Sequence, residues 1–228
     1  MAESKIIVPH GGYRKLLVFP KSETILQGTI MFCRRFLPAH GDRTVDQMVQ
    51  AARSCKQNIV EGSSASGTSK ETEIKLTNVA RASLDELLQD YEDYLTAHSL
   101  ARWDSEDERA IAARKMGVDS PEWDFWKGIF ASRNAETLCN VQITLIHQAR
   151  KLLEGMVRSQ EEDFKRFGGI RERMHTARTE ARAQNWSAAI YSRLESATTK
   201  EELDARAEEL RAEVARDAAA IKRRKGWR

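Results

Sequence analysis

The sequence predicts an all-α protein: an antiparallel up-and-down four-helix bundle with an inserted helical cap and a helical C-terminal extension. Three observations predict this class. Apolar residues recur at steps of three and four over long segments, as they do on one face of an amphipathic helix. Only 4 of the 228 residues are prolines, and alternating β-branched runs typical of strands are almost absent. Loops between the long segments are short, which favours antiparallel neighbours.

We expect three parts in the chain. Residues 1–21 form an irregular segment, because glycines and prolines interrupt its one short apolar run. Residues 22–163 form the four-helix bundle, which contains an inserted subdomain at 99–131. Residues 164–228 form a helical extension with a basic end.

The first helix of the bundle is predicted to begin with Ser22 as its N-cap and to end at Pro38. The second follows Thr44, a good N-cap, and ends at Gly62, a plausible C-terminal cap. Thr68 and Glu71, at capping-box spacing, predict the start of the third helix.

The third helix carries two apolar stripes. One consists of Leu76, Ala80, Ser83, Leu87 and Tyr94, and the other of Leu84, Leu88, Tyr91 and Leu95. A helix that is apolar on two sides is usually buried on two sides. We therefore expect its own bundle to cover one stripe and a neighbouring subunit to cover the other, so that the protein is a homo-oligomer.

The later segments are less regular. Within the insertion, an aromatic cluster is interpreted as the core of a cap, with a partner-binding knob as the alternative; its members are Trp123, Phe125, Trp126 and Phe130. The fourth bundle helix is predicted over residues 135–163. A basic helix follows over 170–184, and Thr199 and Glu202 form a capping box for a last helix with a thin apolar stripe.

Residues 51–95 carry a motif, AARSCKQNIVEGSSASGTSKETEIKLTNVARASLDELLQDYEDYL. It resembles the signature of the bacterial four-helix-bundle proteins known as 23S rRNA intervening-sequence proteins, which are related to the accessory variability determinant of diversity-generating retroelements. The matching positions are Asn58, Ile59, Glu61, Gly62, Ala80, Arg81, Ser83, Glu86 and Leu87. Val60 departs from the pattern, which usually has alanine there. HGGYRKLLVF at residues 10–19 and FKRFGGIRERM at 164–174 resemble the subgroup with a C-terminal four-helix-bundle suffix.

The resemblance covers residues 10–98 well and 132–175 moderately. It implies a bacterial four-helix bundle without established enzymatic activity. Its retroelement relative implies a pentamer with a basic surface that binds nucleic acid and a reverse transcriptase. These implications concern the family and are carried to this chain by analogy.

The motif also has a physical interpretation that does not depend on the family. Glu61 lies in the last turn of its predicted helix, where the helix dipole disfavours a carboxylate. We therefore expect a salt bridge to Arg81, either within one chain or across a subunit interface. Asn58, Glu61, Gly62, Arg81 and Ser83 are interpreted as a structural polar cluster and not as a catalytic site.

No pattern in the sequence predicts an enzyme, a cofactor or a metal site. Gly62, Gly67 and Lys70 lack the spacing of a phosphate-binding loop. Glu172 and His175 are the only Glu-X-X-His pair, whereas a di-iron bundle needs two. The Arg35 to His40 spacing, found in one helical ribonuclease class, is interrupted by proline, and the other histidines suggest no catalytic arrangement.

Composition, the N-terminal pattern and the length of the apolar runs indicate the cellular compartment. The net charge is +3, and the N-terminus lacks the pattern of a signal peptide. No apolar run approaches the roughly 20 residues of a membrane span. The three well-separated cysteines Cys33, Cys55 and Cys139 are expected to be reduced core residues of a cytoplasmic protein.

The sequence thus predicts a non-enzymatic, oligomeric protein that binds nucleic acid, with RNA favoured, or acts as a scaffold. A pentamer is favoured, and a nucleic-acid enzyme such as a reverse transcriptase is a further partner. The alternative is a protein-interaction adaptor that binds no nucleic acid. The candidate phosphate contacts on the body are Arg14, Lys15, Arg34, Arg35, Arg53 and Lys56. The candidates at the C-terminal end are Lys222, Arg223, Arg224, Lys225 and Arg228, with Trp227 beside them to stack on an unpaired base.

Overall fold

A computed structural model describes residues 11–38, 43–195 and 197–225, and this part of the chain is all-α without a strand. A 3₁₀ helix, Tyr13–Lys15, precedes the α-helices. The helices are α1 (Val18–Phe36), α2 (Arg43–Ala65), α3 (Lys70–Ala97), α4 (Glu108–Asp119), α5 (Trp123–Ser132), α6 (Ala135–Phe167), α7 (Ile170–Glu195) and α8 (Lys200–Lys225). The described residues divide into two compact units, a larger one up to residue 171 and a smaller one from residue 172 onward.

The larger unit is built on four long helices around one apolar core. Helix α1 packs on α2 and α6, and α3 packs on the same two helices. The apolar stripes point inward because their three-four spacing keeps them on one side of each helix. The largest fully buried side chains are Ile25, Phe32, Met48, Leu84, Leu87, Tyr91, Trp126, Phe130, Leu138, Leu145, Ile146 and Leu153.

A few polar groups lie inside this core and are held by hydrogen bonds. The Tyr91 hydroxyl donates to Oγ1 of Thr29 at 3.0 Å, joining α3 to α1. The amide of Gln142 donates to the carbonyl oxygen of Ile25 at 3.1 Å, joining α6 to α1. Pairing of this kind offsets much of the cost of burying a polar group.

The insertion forms part of the larger unit, with α4 packed on α6 and α5 packed on α1. Trp126 and Phe130 are fully buried, and Trp126 Nε1 donates to the carbonyl oxygen of Ser120 at 2.7 Å. The interpretation of the aromatic cluster as core is confirmed for these two residues. Phe125 differs, since 45% of its surface is exposed.

The expectation that a second subunit must cover one stripe of the third helix rests on a wrong premise. Leu84, Tyr91 and Leu95 of the second stripe are buried within the single chain, and so is Leu87 of the first. Helix α3 lies between α2 and α6 and contacts both, so one chain supplies both sides. The two stripes therefore do not require another subunit.

Several predicted helix boundaries are wrong. Helix α2 begins at Arg43, so Thr44 lies inside it, and the ends of α6 and α7 lie at Phe167 and Glu195 instead of residues 163 and 184. Helix α1 begins at Val18 with Leu17 at its N-cap position, and Ser22 is buried inside it, where its hydroxyl donates to the carbonyl oxygen of Phe19 at 2.7 Å. Helix α2 continues through Gly62 to Ala65. Helix α3 is capped by Ser69, whose Oγ accepts from the Thr72 amide at 3.1 Å.

The smaller unit consists of most of α7 and of α8. None of its described side chains is buried. Arg193 Nη1 forms an ion pair with Glu213 at 2.8 Å, and Arg206 Nη1 donates to the carbonyl oxygen of Arg193 at 2.9 Å. Polar contacts thus link the two helices.

Candidate nucleic-acid interface

Four of the basic candidates on the body have exposed side chains with little to hold them. Arg14 and Lys15 are exposed on the 3₁₀ helix, where the Arg14 guanidinium lies 5.7 Å from the ring centroid of Tyr13. Arg34 lies exposed in the last turn of α1, and Arg53 lies exposed in the middle of α2. These four side chains are accessible to a phosphate.

The other two body candidates are already engaged. Lys56 Nζ forms an ion pair with Glu23 at 2.8 Å and lies 5.6 Å from the centroid of the Phe19 ring. Arg35 Nη1 donates to the carbonyl oxygen of Phe130. The six residues are therefore not equivalent, because a phosphate would have to compete for Lys56 and Arg35.

Four of the C-terminal candidates lie at the end of α8. Arg223 is exposed. Lys222, Arg224 and Lys225 belong to the helix, but their side chains lie outside the description, and Trp227 and Arg228 lie outside the described residues altogether. His10 and His40 are outside them too.

A further basic face, which the sequence predicted only in part, runs along α7. His175, Arg178, Arg182 and Trp186 follow one another at steps of three, four and four, and all four side chains are exposed. Such spacing places them on one side of a helix, with about 5–6 Å between successive Cβ atoms. We call these four residues the α7 basic face. Their three-four spacing within one helix is the sequence signal that identifies this face.

The charges of the α7 basic face are not compensated. In the described part of the chain, Arg178 and Arg182 form no ion pair. Neither arginine has an acidic residue three or four positions away; Glu180 is two positions from each and does not face them. Two arginines at i and i+4 repel each other by a few tenths of a kcal/mol. A bound phosphate would remove this repulsion.

Trp186 adds an aromatic surface to the same face. It is 56% exposed and lies four residues after Arg182, one helical turn away. Exposed tryptophan beside arginine suits single-stranded nucleic acid, since bases stack on the ring while guanidinium groups contact phosphates.

The motif residues of α2 and α3 form a hydrogen-bonded cluster around Ser54. The Asn58 amide donates to the carbonyl oxygen of Ser54 at 2.8 Å and lies 3.1 Å from its Oγ. Ser83 Oγ lies 3.0 Å from Ser54 Oγ and 3.0 Å from the carbonyl oxygen of Val79. The contact of Ser83 with Ser54 thus ties α3 to α2, and Asn58 holds the α2 side of the cluster.

Glu61 and Arg81 do not complete this cluster within one chain. Glu61 is exposed, and its Oε1 accepts from Nε2 of Gln57 at 3.0 Å. The described residues contain no ion pair between Glu61 and Arg81. The predicted intrachain salt bridge is wrong, because α2 continues beyond Glu61 and leaves its side chain on the outer face. A pair across a subunit interface stays a prediction.

Gly62 has a packing role instead of a capping role. It is buried, and a methyl group in its place would lie 3.5 Å from the carbonyl oxygen of Glu73 and from Cβ of Leu76. Helices α2 and α3 therefore come close to each other at this glycine.

The cysteines and the possible metal ligands of the described residues were compared with the requirements of a reactive or metal site. The thiols of Cys33, Cys55 and Cys139 are buried and form no disulfide, and burial raises the pKa of Cys55 to about 12. No group of three His, Cys, Asp or Glu side chains within the described ranges is arranged to hold a metal ion. Among those same residues, no helix has the length and apolar character that crossing a membrane requires.

Comparisons with models of known protein families, with curated proteins and with solved structures found no match to this chain.

Proposed function

We propose that this protein is a non-enzymatic nucleic-acid-binding protein that binds single-stranded RNA along the α7 basic face. The observation that carries the proposal is the coincidence of Arg178 and Arg182, both without an acidic partner, with the exposed ring of Trp186 on one side of a helix. RNA is the nucleic acid that the family resemblance implies. Arg34, Arg53 and the basic end of α8 are additional contacts in this proposal.

The test is binding of the full chain to a labelled single-stranded RNA across a salt series. Each phosphate neutralised on a single strand contributes about 0.7 to the slope of log affinity against log salt. The variant Arg178→Ala/Arg182→Ala is therefore expected to reduce that slope by about 1.4. Trp186→Ala is expected to weaken binding by about 1–3 kcal/mol without changing the slope, because stacking releases no counterions.

A matched control changes the same charge elsewhere. Arg133 and Arg158 are exposed on the larger unit, so Arg133→Ala/Arg158→Ala alters net charge equally without touching α7. Equal losses in the two double variants would contradict the α7 assignment. Two further variants measure how much the other candidates contribute to RNA affinity. One is truncated at Ile221, and the other has alanine at Arg34, Arg35, Arg53 and Lys56.

We also propose that α1, α2, α3 and α6 form an antiparallel up-and-down bundle, and that the protein self-associates. The cyclic packing of these four helices supports the first statement. The second rests on the resemblance, which favours a pentamer and implies a nucleic-acid enzyme as a partner. Light scattering that finds only a monomer of the 25.9 kDa chain at micromolar concentration would exclude self-association.

The adaptor function is the alternative, and the apolar residues of α7 favour it. Met174, Trp186 and Tyr191 are each more than half exposed, and exposed aromatics and methionine are common at protein interfaces. If the wild-type protein shows no salt-sensitive binding to RNA or DNA, this alternative replaces the proposal.

A further inference from the structure

A surface cavity of about 350 Å³ lies between α1, α4 and α6. Its apolar walls include Leu17, Val118, Pro121 and Leu152. Leu17 is 75% exposed and Val118 is 70% exposed, although both are large apolar residues. This volume lies within the range of pockets that bind small molecules, roughly 300–1,000 Å³, and such pockets combine apolar walls with a few polar groups.

The polar group of this cavity is Lys21. It is only 4% exposed, which is rare for a lysine without an ion pair. Its Nζ donates to the carbonyl oxygen of Gly117 and, at 2.8 Å, to Oε1 of Gln148. Both acceptors belong to residues that also line the cavity.

The surroundings hold the ammonium group in place. Gln148 Nε2 donates to the carbonyl oxygen of Arg114 at 2.7 Å, which turns Oε1 towards Lys21. Gly117 lets α4 approach α6 closely, since a methyl group there would lie 2.8 Å from Cδ2 of Leu145. The site is thus built from three helices, and its geometry does not depend on an exposed flexible side chain.

Among the described residues, no carboxylate pairs directly with the ammonium group, although Glu122 lies near enough to act on it electrostatically. In the described part of the chain, no carboxylate accepts a hydrogen bond from Lys21, and two neutral oxygens account for two of its three N–H donors. The second ionisable residue that lines the cavity is Lys151. The cavity therefore pairs apolar walls with positive charge and has no acidic lining.

We propose that this cavity binds a small amphipathic carboxylate, whose carboxylate pairs with Lys21 and whose hydrocarbon part lies against Leu17, Val118 and Leu152. A cationic ligand would be repelled by both lysines. A neutral ligand of the same shape would leave the buried ammonium group without a directly paired carboxylate, and this is costly in a low-dielectric site.

Binding depends on pH through Lys21. Burial lowers the pKa of Lys21 to about 8, while the nearby Glu122 carboxylate opposes the shift. The other charged groups around it are Lys151 on α6 and Arg114 on α4, whose backbone carbonyl holds Gln148. Since the charged form binds the carboxylate, affinity should fall as pH rises above the pKa of Lys21.

The experiment titrates the full-length protein with octanoate, octan-1-ol and octylamine by calorimetry near neutral pH. Octanoate is expected to bind about 10- to 100-fold more tightly than octan-1-ol, as a hydrogen bond to a charged group predicts. Octylamine is expected to bind more weakly than either. Equal affinity for octanoate and octan-1-ol would overturn the proposal.

Two variants locate the site. Lys21→Met keeps the length and apolar stem of the side chain and is expected to abolish the preference for octanoate, while Lys115→Met, at an exposed position of α4, keeps it. Val118→Glu places a carboxylate in the exposed wall, where folding is not at risk, and should weaken octanoate binding at least tenfold. Its control is Val79→Glu, also at an exposed position and outside the cavity.

Unchanged octanoate binding in Val118→Glu would overturn the proposal even if Lys21→Met does not fold. Light scattering gives a second test. If the protein is a dimer that Val118→Glu dissociates and that octanoate leaves intact, a second copy covers the cavity, and the proposal is overturned.

Discussion

Lys21 places a positive charge inside the larger unit, and the stability of the protein should depend on pH for that reason. The folded-state pKa of Lys21 is about 8 against an ordinary value of 10.5. Between these values the unfolded chain holds a proton that the folded protein has largely lost, so the free energy of unfolding increases as pH rises. Below pH 8 both states are protonated and this dependence disappears.

The measurement is chemical denaturation of the native protein and of Lys21→Met at about pH 7 and about pH 10. Relative to the variant, the native protein should gain stability at the higher pH. The gain is at most about 3 kcal/mol, and smaller to the extent that water reaches the ammonium group. Subtracting the variant removes the titration of other groups. A difference that does not change with pH would contradict a buried, charged Lys21.

At the same scale, the contact predicted between residues close together in sequence is confirmed, whereas the contact predicted between residues of two helices is not. Thr199 and Glu202 form the predicted capping box, with Thr199 Oγ1 accepting from the Glu202 amide at 3.2 Å and Glu202 Oε2 accepting from the Thr199 amide at 3.3 Å. These residues are three apart on one helix end, so sequence determines their distance. Glu61 and Arg81 lie on different helices, and whether they meet depends on where α2 ends and how α2 and α3 rotate, which spacing does not determine.

At the scale of the helix, two glycines in similar helical settings should respond to alanine in opposite ways. A methyl group at Gly28 of α1 would lie 2.8 Å from the Phe130 ring and closer still to Nε2 of Gln142, whereas one at Gly155 of α6 would meet nothing within 4 Å. Alanine favours a helix by about 0.8–1.0 kcal/mol over glycine, but overpacking a close contact costs about 1–3 kcal/mol.

Gly155→Ala should therefore raise the free energy of unfolding by up to about 1 kcal/mol. Gly28→Ala should lower it by up to about 2 kcal/mol, the overpacking cost less the helix gain. Denaturant unfolding of both variants against the native protein gives the comparison. If Gly28→Ala is as stabilising as Gly155→Ala, α1 and α5 are not in close contact at this position.

Helix α3 shows what periodicity predicts and what it leaves open. The two apolar stripes were identified correctly as buried faces, because a three-four spacing fixes the side of the helix on which a residue lies. Periodicity does not say which element covers a face, and here α2 and α6 of the same chain cover both. The α7 basic face was predicted only in part: the expected basic helix over 170–184 contains its arginines but ends before Trp186, whereas α7 continues to Glu195.

At the scale of the whole molecule, the two units should differ in local stability. The larger unit has an extensive apolar core, whereas no described side chain in residues 172–220 is buried. Helices that bury little apolar surface are marginal in water, and surface ion pairs such as Arg193 with Glu213 contribute only about 0–1 kcal/mol. The helices α7 and α8 should therefore open far more often than α3 or α6.

Hydrogen exchange of the full-length protein measures this difference. Amides around Leu87 in α3 and Leu145 in α6 should exchange only through global unfolding, and those around Arg182 in α7 should exchange through local opening. We expect protection factors at least about 100-fold lower in α7, since a difference of 2.7 kcal/mol or more in opening free energy gives that ratio. Single-stranded RNA should then slow exchange in α7 and leave α3 unchanged, because a ligand stabilises the segment that it binds in its ordered form.

Equal protection in α3 and α7 without RNA would show that α7 is stabilised by contacts that its exposed surface does not reveal. If RNA binds but leaves hydrogen exchange in α7 unchanged, the binding surface lies outside α7, on the remaining basic residues of α1, α2 or α8.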